Sequence, residues 1–344
     1  MPTIDLRVNY QKARLQKSVT NPRFGDKTIL VDDNWDFVEL WLRRHGKEEA
    51  LFFWRQARAF HEADQHLTKL SSPLTSYYSA LNAAKALLVS KGVAFQTHHG
   101  LTGSSSEGKA SLAKEVVILK GGGILPALCQ HLGESVNGER YSLKQIFYNL
   151  AFIHRAYCVT YRGSKELFVP ISDPKFVRIE GSHDCWFSAV IADKKFQHHR
   201  IVAGLAGFEK DLGCTQAYTI RRKARFEWVW GGTKQRNLES LIAEHRKIRR
   251  FTYYIHGMTR LWYIKRTNAV QDIIPRSHLT LLLMALHRIS EIARYEPRLL
   301  ELHFSSHHNW LLSQFLERAL EQFIDECSAE ITGHEFMMPG YATR

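Results

Sequence analysis

The chain of 344 residues carries 47 Lys and Arg against 34 Asp and Glu, a formal net charge of +13, with 44% hydrophobic and 24% charged residues. This balance excludes a disordered or collagen-like chain and supplies a sizeable core, in one large domain or two. No stretch reaches the ~18 uncharged apolar residues of a membrane helix, and the polar opening lacks the apolar run of a secretion signal, so the chain reads as cytosolic with no membrane contact.

Residues 1–33 are polar and basic without a period and read as an N-terminal arm. From Asn34 the apolar residues Trp35, Val38 and Leu42, then Leu51, Trp54 and Ala57, recur at helical spacing, with Asp33 or Asn34 as N-cap. A second helix is expected over 73–91, ended by Gly92 as its C′ residue. The stretch 97–106 reads as loop, the stretch to 132 as mixed, and Ser142 opens a helix running to about Tyr157. After Gly163 the texture turns β-like at 167–171, 176–179 and 185–191. Over 217–230, Tyr218, Ile220, Phe226, Trp228 and Trp230 alternate with Thr219, Arg221, Lys223 and Arg225, the pattern of a half-buried strand. A helix over 237–249 follows, then a hairpin whose arms flank His256, Gly257, Met258 and Thr259. Ser277 opens a long helix broken by Pro297, and a last helix covers about 308–331. The segments near 35–91 and 278–330 both have wide apolar faces and are expected to pack on one another.

This order divides the chain into the arm (1–33), the first part of a helical core (34–165), a basic β-rich insertion (166–271) and the second part of the core (272–344). Charge follows the division: 166–271 hold 19 basic and 10 acidic residues, and 272–344 hold 6 and 10. The densest basic stretch is 221–250. Arg221, Lys223 and Arg225 project from the outward face of the strand, and Arg246, Arg249 and Arg250 follow. Cations at this density grip phosphates, and interleaved aromatics stack bases or form the buried side of a sheet. For Trp228 and Trp230 the shared apolar face favours the buried role. Nucleic acid, RNA ahead of DNA, is the expected partner.

Other motifs lose their chemistry on inspection. The five cysteines are widely spaced without a C-x-x-C, as suits reduced thiols. The run 103–110 approximates a P-loop, but Ala110 stands where a hydroxyl would hold Mg²⁺. His61 and His66 stand five apart and diverge on a helix, and His303 with His307 lacks a third ligand. No metal and no cofactor is expected.

Several ordered pieces carry a likeness. They are Gln56-Ala57-Arg58-Ala59-Phe60, Tyr77-Tyr78-Ser79-Ala80-Leu81-Asn82-Ala83-Ala84-Lys85, His99-Gly100-Leu101, Ile124-Leu125-Pro126 and Ala293-Arg294-Tyr295-Glu296-Pro297. Together they resemble the YaaC-like family over roughly 35–160 and 272–330. The Tyr77-Tyr78 helix followed by Thr97-His98-His99-Gly100 also resembles HEPN domains. That resemblance implies a helical bundle, commonly dimeric, and in many members a ribonuclease of toxin or phage-defence systems. Such ribonucleases carry Arg and His with four to six residues between them. There His acts as acid or base and Arg neutralises the phosphate. Arg298 and His303 fit this spacing in the C-terminal half, provided a helix break after Pro297 lets them converge. Within the matched pieces, Asn82, Lys85, His98, His99 and Arg294 form a second candidate site.

The expected fold is therefore α+β, mainly α: a HEPN-like helical core built from N- and C-terminal parts, with a β-rich insertion. The expected function is a cytosolic nucleic-acid-associated protein, with metal-independent endoribonuclease activity if it is an enzyme. The alternative is a non-catalytic interaction subunit with a protein partner or a second copy.

Overall fold

The computed structural model describes residues 3–106, 108–214, 217–229, 231–257, 261–268 and 272–337. It divides into two compact units, one of residues 31–165 and 274–332, the other of residues 1–30, 166–273 and 333–344.

The first unit is built on the helices Asn34–Arg44, Glu48–Asp64, Ser72–Ser90, His278–Tyr295, Pro297–Phe304 and Asn309–Thr332. The Ser72–Ser90 helix is apolar or small on nearly every side and is buried accordingly, packed against Glu48–Asp64, His278–Tyr295 and Asn309–Thr332. Asp33 caps the first helix, its carboxylate accepting the Trp35 N–H at 2.7 Å. Asp33→Ala is expected to cost ~1 kcal/mol in urea unfolding, as the loss of one N-terminal cap does. An unchanged midpoint would assign the helix start to packing alone.

A small sheet also belongs to this unit. Leu101–Ser105 pairs antiparallel with Glu115–Leu119, which pairs with Arg140–Ser142. Val116, Val117 and Ile118 are β-branched and alternate in burial, which suits a pleated surface. Leu101–Ser105 has no such signal; its backbone is recruited by the neighbouring strand. The expected single helix after Ser142 is interrupted. Leu143–Tyr148 stops at Asn149, whose amide donates to Gln145 O and whose oxygen accepts the Ile274 N–H, and helix resumes at His154–Thr160.

The second unit is an eight-stranded antiparallel sheet. Along its main path run Phe208–Lys210, Thr219–Arg222, Asp184–Ile191, Phe168–Ile179, Leu261–Lys265 and Thr252–Ile255; Thr3–Asp5 and Phe226–Glu227 pair onto the two long strands. The register shifts between Ser172 and Lys175, where Asp173 has φ 46°, a bulge that bends the longest strand and curls the sheet. Val169, Phe176, Phe187 and Ile220 fill its inner face against Leu241 and Ile248 of the Lys234–Arg249 helix. The expected strand over 217–230 is split at Lys223–Arg225 into Thr219–Arg222 and Phe226–Glu227. Trp230 and the hairpin residues Met258 and Thr259 lie outside the described residues.

His245 of that helix is fully buried, its Nε2 3.2 Å from the N and O of Gln16. Burial, aided by Arg249 and Arg246 and opposed by the Gln16 contact, pushes its pKa down to about 3. The unfolded chain takes up the proton near pH ~6.5, so stability is full above that pH and falls as pH drops toward about 3, by ~1.4 kcal/mol per unit for this one group. His245→Gln is expected to flatten the loss between about pH 6.5 and 5 in urea titrations; a parallel pH profile would remove His245 from the acid response.

These features correct the expected fold class. The described residues are 45% helical and 19% strand, with a large curled antiparallel sheet and, among them, no HEPN-like all-helical core. The helix-rich unit contains the three-stranded sheet. Nor is the large sheet simply an insertion. Thr3–Asp5 pairs onto Phe168–Ile179 within it, while Phe336–Met337 and Ile29–Leu30 form a separate two-stranded parallel sheet of the same unit. Strands of two or three residues show too little alternation to be read from periodicity, so the apparent arm concealed its sheet pairing.

Candidate functional site

In the sheet unit, the predicted phosphate-gripping residues fall into two groups. Arg221 is answered internally, its Nε 2.8 Å from Glu209 and its Nη1 3.7 Å from Asp211. Arg249 is buried and donates to the carbonyls of Lys17 and Thr252, which fixes the end of its helix. Lys223, Arg225 and Arg250 are exposed, and among the described residues none of them has a carboxylate within ion-pair distance. Arg246 is exposed and donates to Thr20 O at 2.8 Å. The Arg225 guanidinium lies 4.2 Å over the buried ring of Trp186, and Arg221 lies 5.9 Å from the same ring. Trp186 therefore gives these two cations a common flat support.

In the helical unit, three elements meet around His99. Tyr78, Asn82 and Lys85 share one face of the Ser72–Ser90 helix, and His287, Glu291 and Arg294 share one face of the His278–Tyr295 helix. Asn82 is turned inward on its own helix, donating to Tyr78 O at 2.8 Å. The Tyr77 hydroxyl lies 2.7 Å from His99 Nδ1, and the His99 and His287 ring centroids are 5.8 Å apart. The turn carrying His98 and His99 is clamped from behind, its carbonyls accepting the N–H groups of Ile124 and Leu125 at 2.9 and 3.2 Å. Gly100 sits there at φ +77°, and a Cβ would overlap Pro126 and Gly122 O. Gly100→Ala is expected to cost well over ~1 kcal/mol, seen as a lower Tm and a shifted His99 resonance. A wild-type Tm would show that the turn has room.

Burial pushes the His99 pKa down, helped by the charges of Lys85, His98 and Arg294. Burial also pushes His287 down to about 3, helped by His99, Arg288 and Lys120. Burial pushes Tyr77 up, with Tyr78 and Glu291 adding to the effect, and pushes Lys85 down. Both imidazoles are thus neutral at pH 7 while Tyr77 keeps its proton.

A buried polar chain extends from this cluster. Glu291 receives Arg288 Nη1 at 3.2 Å and the Gly103 N–H at 3.3 Å. Glycine at 103 permits that approach, because a Cβ there would strike both side chains. Arg288 Nη2 reaches Glu115 at 2.7 Å, and the other Glu115 oxygen lies 3.2 Å from His303 Nε2. His303 Nδ1 is 2.9 Å from His308, which also meets the Ser306 hydroxyl at 2.8 Å. This is where the expected Arg298–His303 pair parts. The Pro297–Phe304 helix runs through both positions unbroken, leaving Arg298 exposed and His303 buried.

A family model for YaaC-like proteins matches residues 13–331. The chain belongs to the YaaC-like family. The match runs through both units of this YaaC-like protein, including the middle segment whose residues had suggested no likeness. The HEPN resemblance is not shown. No curated protein and no solved structure matches the chain.

Within the YaaC-like chain, the structure brings Lys85, His98, His99 and Arg294 to one place and leaves Asn82 inside its helix. The sequence reading missed Tyr77, Glu115, His287, Arg288 and Glu291. Tyr77 has the helical spacing of a core residue, and His287 and Arg288 sit in an otherwise apolar helix. The signal present was the helical spacing of His287, Glu291 and Arg294. Among the described residues no cluster has the makings of a metal site, and no helix is long and apolar enough to cross a membrane.

Proposed function

We propose that this YaaC-like protein is a cytosolic nucleic-acid-associated protein that holds RNA, in preference to DNA, by its backbone on the cationic face of the sheet unit. The observation that carries the reading is the Arg225 guanidinium 4.2 Å over the Trp186 ring beside the exposed Lys223. A guanidinium supported on an aromatic ring is pre-organised, so little side-chain freedom is lost when it meets a phosphate or a base. Single-stranded RNA suits such a surface, since its flexible backbone can bring successive phosphates to neighbouring cations. The reading assigns no cleavage to Arg298 and His303.

The test is fluorescence anisotropy of the full chain with unrelated single-stranded RNAs and their DNA counterparts across a salt series. Binding that is tighter for RNA, similar across sequences and weaker with salt supports the reading. A protein indifferent to both nucleic acids at low salt defeats it and leaves the interaction-subunit alternative.

A further inference from the structure

Cations gather around the His99–His287 pair without a carboxylate to answer them. Lys85 comes from the Ser72–Ser90 helix, Lys120 follows the Glu115–Leu119 strand, and Arg294 comes from the His278–Tyr295 helix. Lys85 follows Tyr78 on the same helix face, the Tyr78 and His99 ring centroids being 6.5 Å apart; the Lys120 N–H donates to Gly100 O at 3.0 Å, beside His99; and Arg294 follows His287 and Glu291 on the same helix face. Lys85 lies 5.3 Å over the Phe53 ring and Arg294 4.9 Å over Tyr295. Among the described residues none of these three cations forms an ion pair. Glu291, the acidic group of this cluster, is already engaged by Arg288 and the Gly103 N–H.

The hydrogen-bonding groups are equally incomplete. Tyr77 has one hydroxyl proton and, among the described residues, one partner, His99 Nδ1. Donating there, it leaves the ring proton of His99 on Nε2, on a half-buried ring, with no acceptor among the described residues. His287 Nδ1 is buried without a hydrogen-bond partner, Glu291 standing 3.6 Å away. A neutral donor held in place by a tyrosine and ringed by cations is built to receive an anion. Several cations match a dianion better than a single carboxylate, which would leave positive charge uncompensated.

We propose that Tyr77, Lys85, His99, Lys120, His287 and Arg294 form a binding site for a phosphomonoester, with His99 Nε2–H as the directional donor and Lys85, Lys120 and Arg294 supplying the charge. The site lies within the helical unit and does not rest on RNA binding by the sheet. A phosphomonoester is found on small molecules and at the end of an RNA chain, and both present the same group.

The experiment is calorimetry and histidine NMR on the full chain. The probes are inorganic phosphate, a nucleoside 5′-monophosphate, the uncharged nucleoside, and one RNA oligomer with either a 5′-phosphate or a 5′-hydroxyl. Saturable binding of the phosphorylated probes, with His99 resonances shifting and the nucleoside silent, is expected. A larger gain from 5′-phosphate on the oligomer, against its 5′-hydroxyl form, than the monophosphate shows over its nucleoside identifies RNA as the source, and the reverse identifies a small ligand. His99→Ala and Lys120→Ala should each weaken binding about tenfold or more, the worth of one charge-assisted contact. Lys120 and Arg294 are exposed, so Lys120→Ala and Arg294→Ala keep the test valid if His99→Ala fails to fold. Lys223→Glu, on the sheet, should leave phosphate binding unchanged. The proposal is overturned by absence of saturable phosphate binding, by acetate competing as well as phosphate, or by full affinity in both His99→Ala and Lys120→Ala.

Discussion

Arg288→Ala is expected to cost ~3–5 kcal/mol of stability, the usual result of removing one partner from a buried ion pair. Arg288 and Glu115 are 3% and 1% exposed. The substitution leaves the Glu115 carboxylate in the interior with only His303 and Ser105 beside it. Burial alone would raise the Glu115 pKa, but His303, Arg288 and Ser105 together hold it below the ordinary carboxylate value. In the wild type the group therefore contributes stability above the unfolded carboxylate pKa, and that contribution is lost as pH falls through the folded value. Without Arg288 burial gains ground and the folded pKa rises. The destabilisation should then shrink below about pH 5, where Glu115 can take a proton. Urea unfolding at pH 7 and at mildly acid pH measures both effects. A loss below ~1 kcal/mol at neutral pH would mean that water, not Arg288, satisfies Glu115. Adding Glu115→Gln to Arg288→Met should recover part of the loss, because no unpaired charge remains.

Lys223→Glu, Arg225→Glu and Arg250→Glu combined should weaken RNA association by ~10²-fold at low salt and make the salt slope shallower by about two. The reasoning is counterion release: each phosphate contact on single-stranded RNA contributes ~0.7 to the slope, and three contacts are removed. The loss should be similar for unrelated sequences, since phosphates carry no base identity. Arg221 and Arg249 are left intact for structural reasons. Reversing Arg221 would place a third carboxylate beside Glu209 and Asp211, and Arg249 holds carbonyls inside the unit. Undiminished binding with an unchanged slope would clear this face of any role.

The residues that announced themselves in the sequence are those whose environment is periodic or capped. Asp33, Gly92 and Ser277 mark helix ends that the structure places at Asn34, Ser90 and His278. The Thr252–Ile255 and Leu261–Lys265 arms of the hairpin were equally legible. What escaped is what depends on distant partners. Leu101–Ser105 is a strand because Glu115–Leu119 lies beside it, and nothing in its own residues demands that state. Lys85, His99 and Arg294 were visible as pieces of a family likeness, but Glu115, Arg288 and His303 meet across 173 and 188 positions of sequence, beyond any local pattern. Charge was legible as a total and misleading by residue, since Arg249 reads the same as Arg250 and only one of them faces water.

The parallel pairing of Phe336–Met337 with Ile29–Leu30 sets a schedule for biosynthesis. The strand partners of Ile29 and Leu30 are made about 300 residues after them, so this ladder waits for all of the intervening chain. The pairing of Thr3–Asp5 with residues of the Phe168–Ile179 strand imposes an earlier wait of the same kind. Nascent chains halted between residues 180 and 330 should therefore leave residues 27–30 open to protease. Protection of that segment should appear only once Met337 has cleared the exit tunnel, making it a timer for completion of the sheet unit.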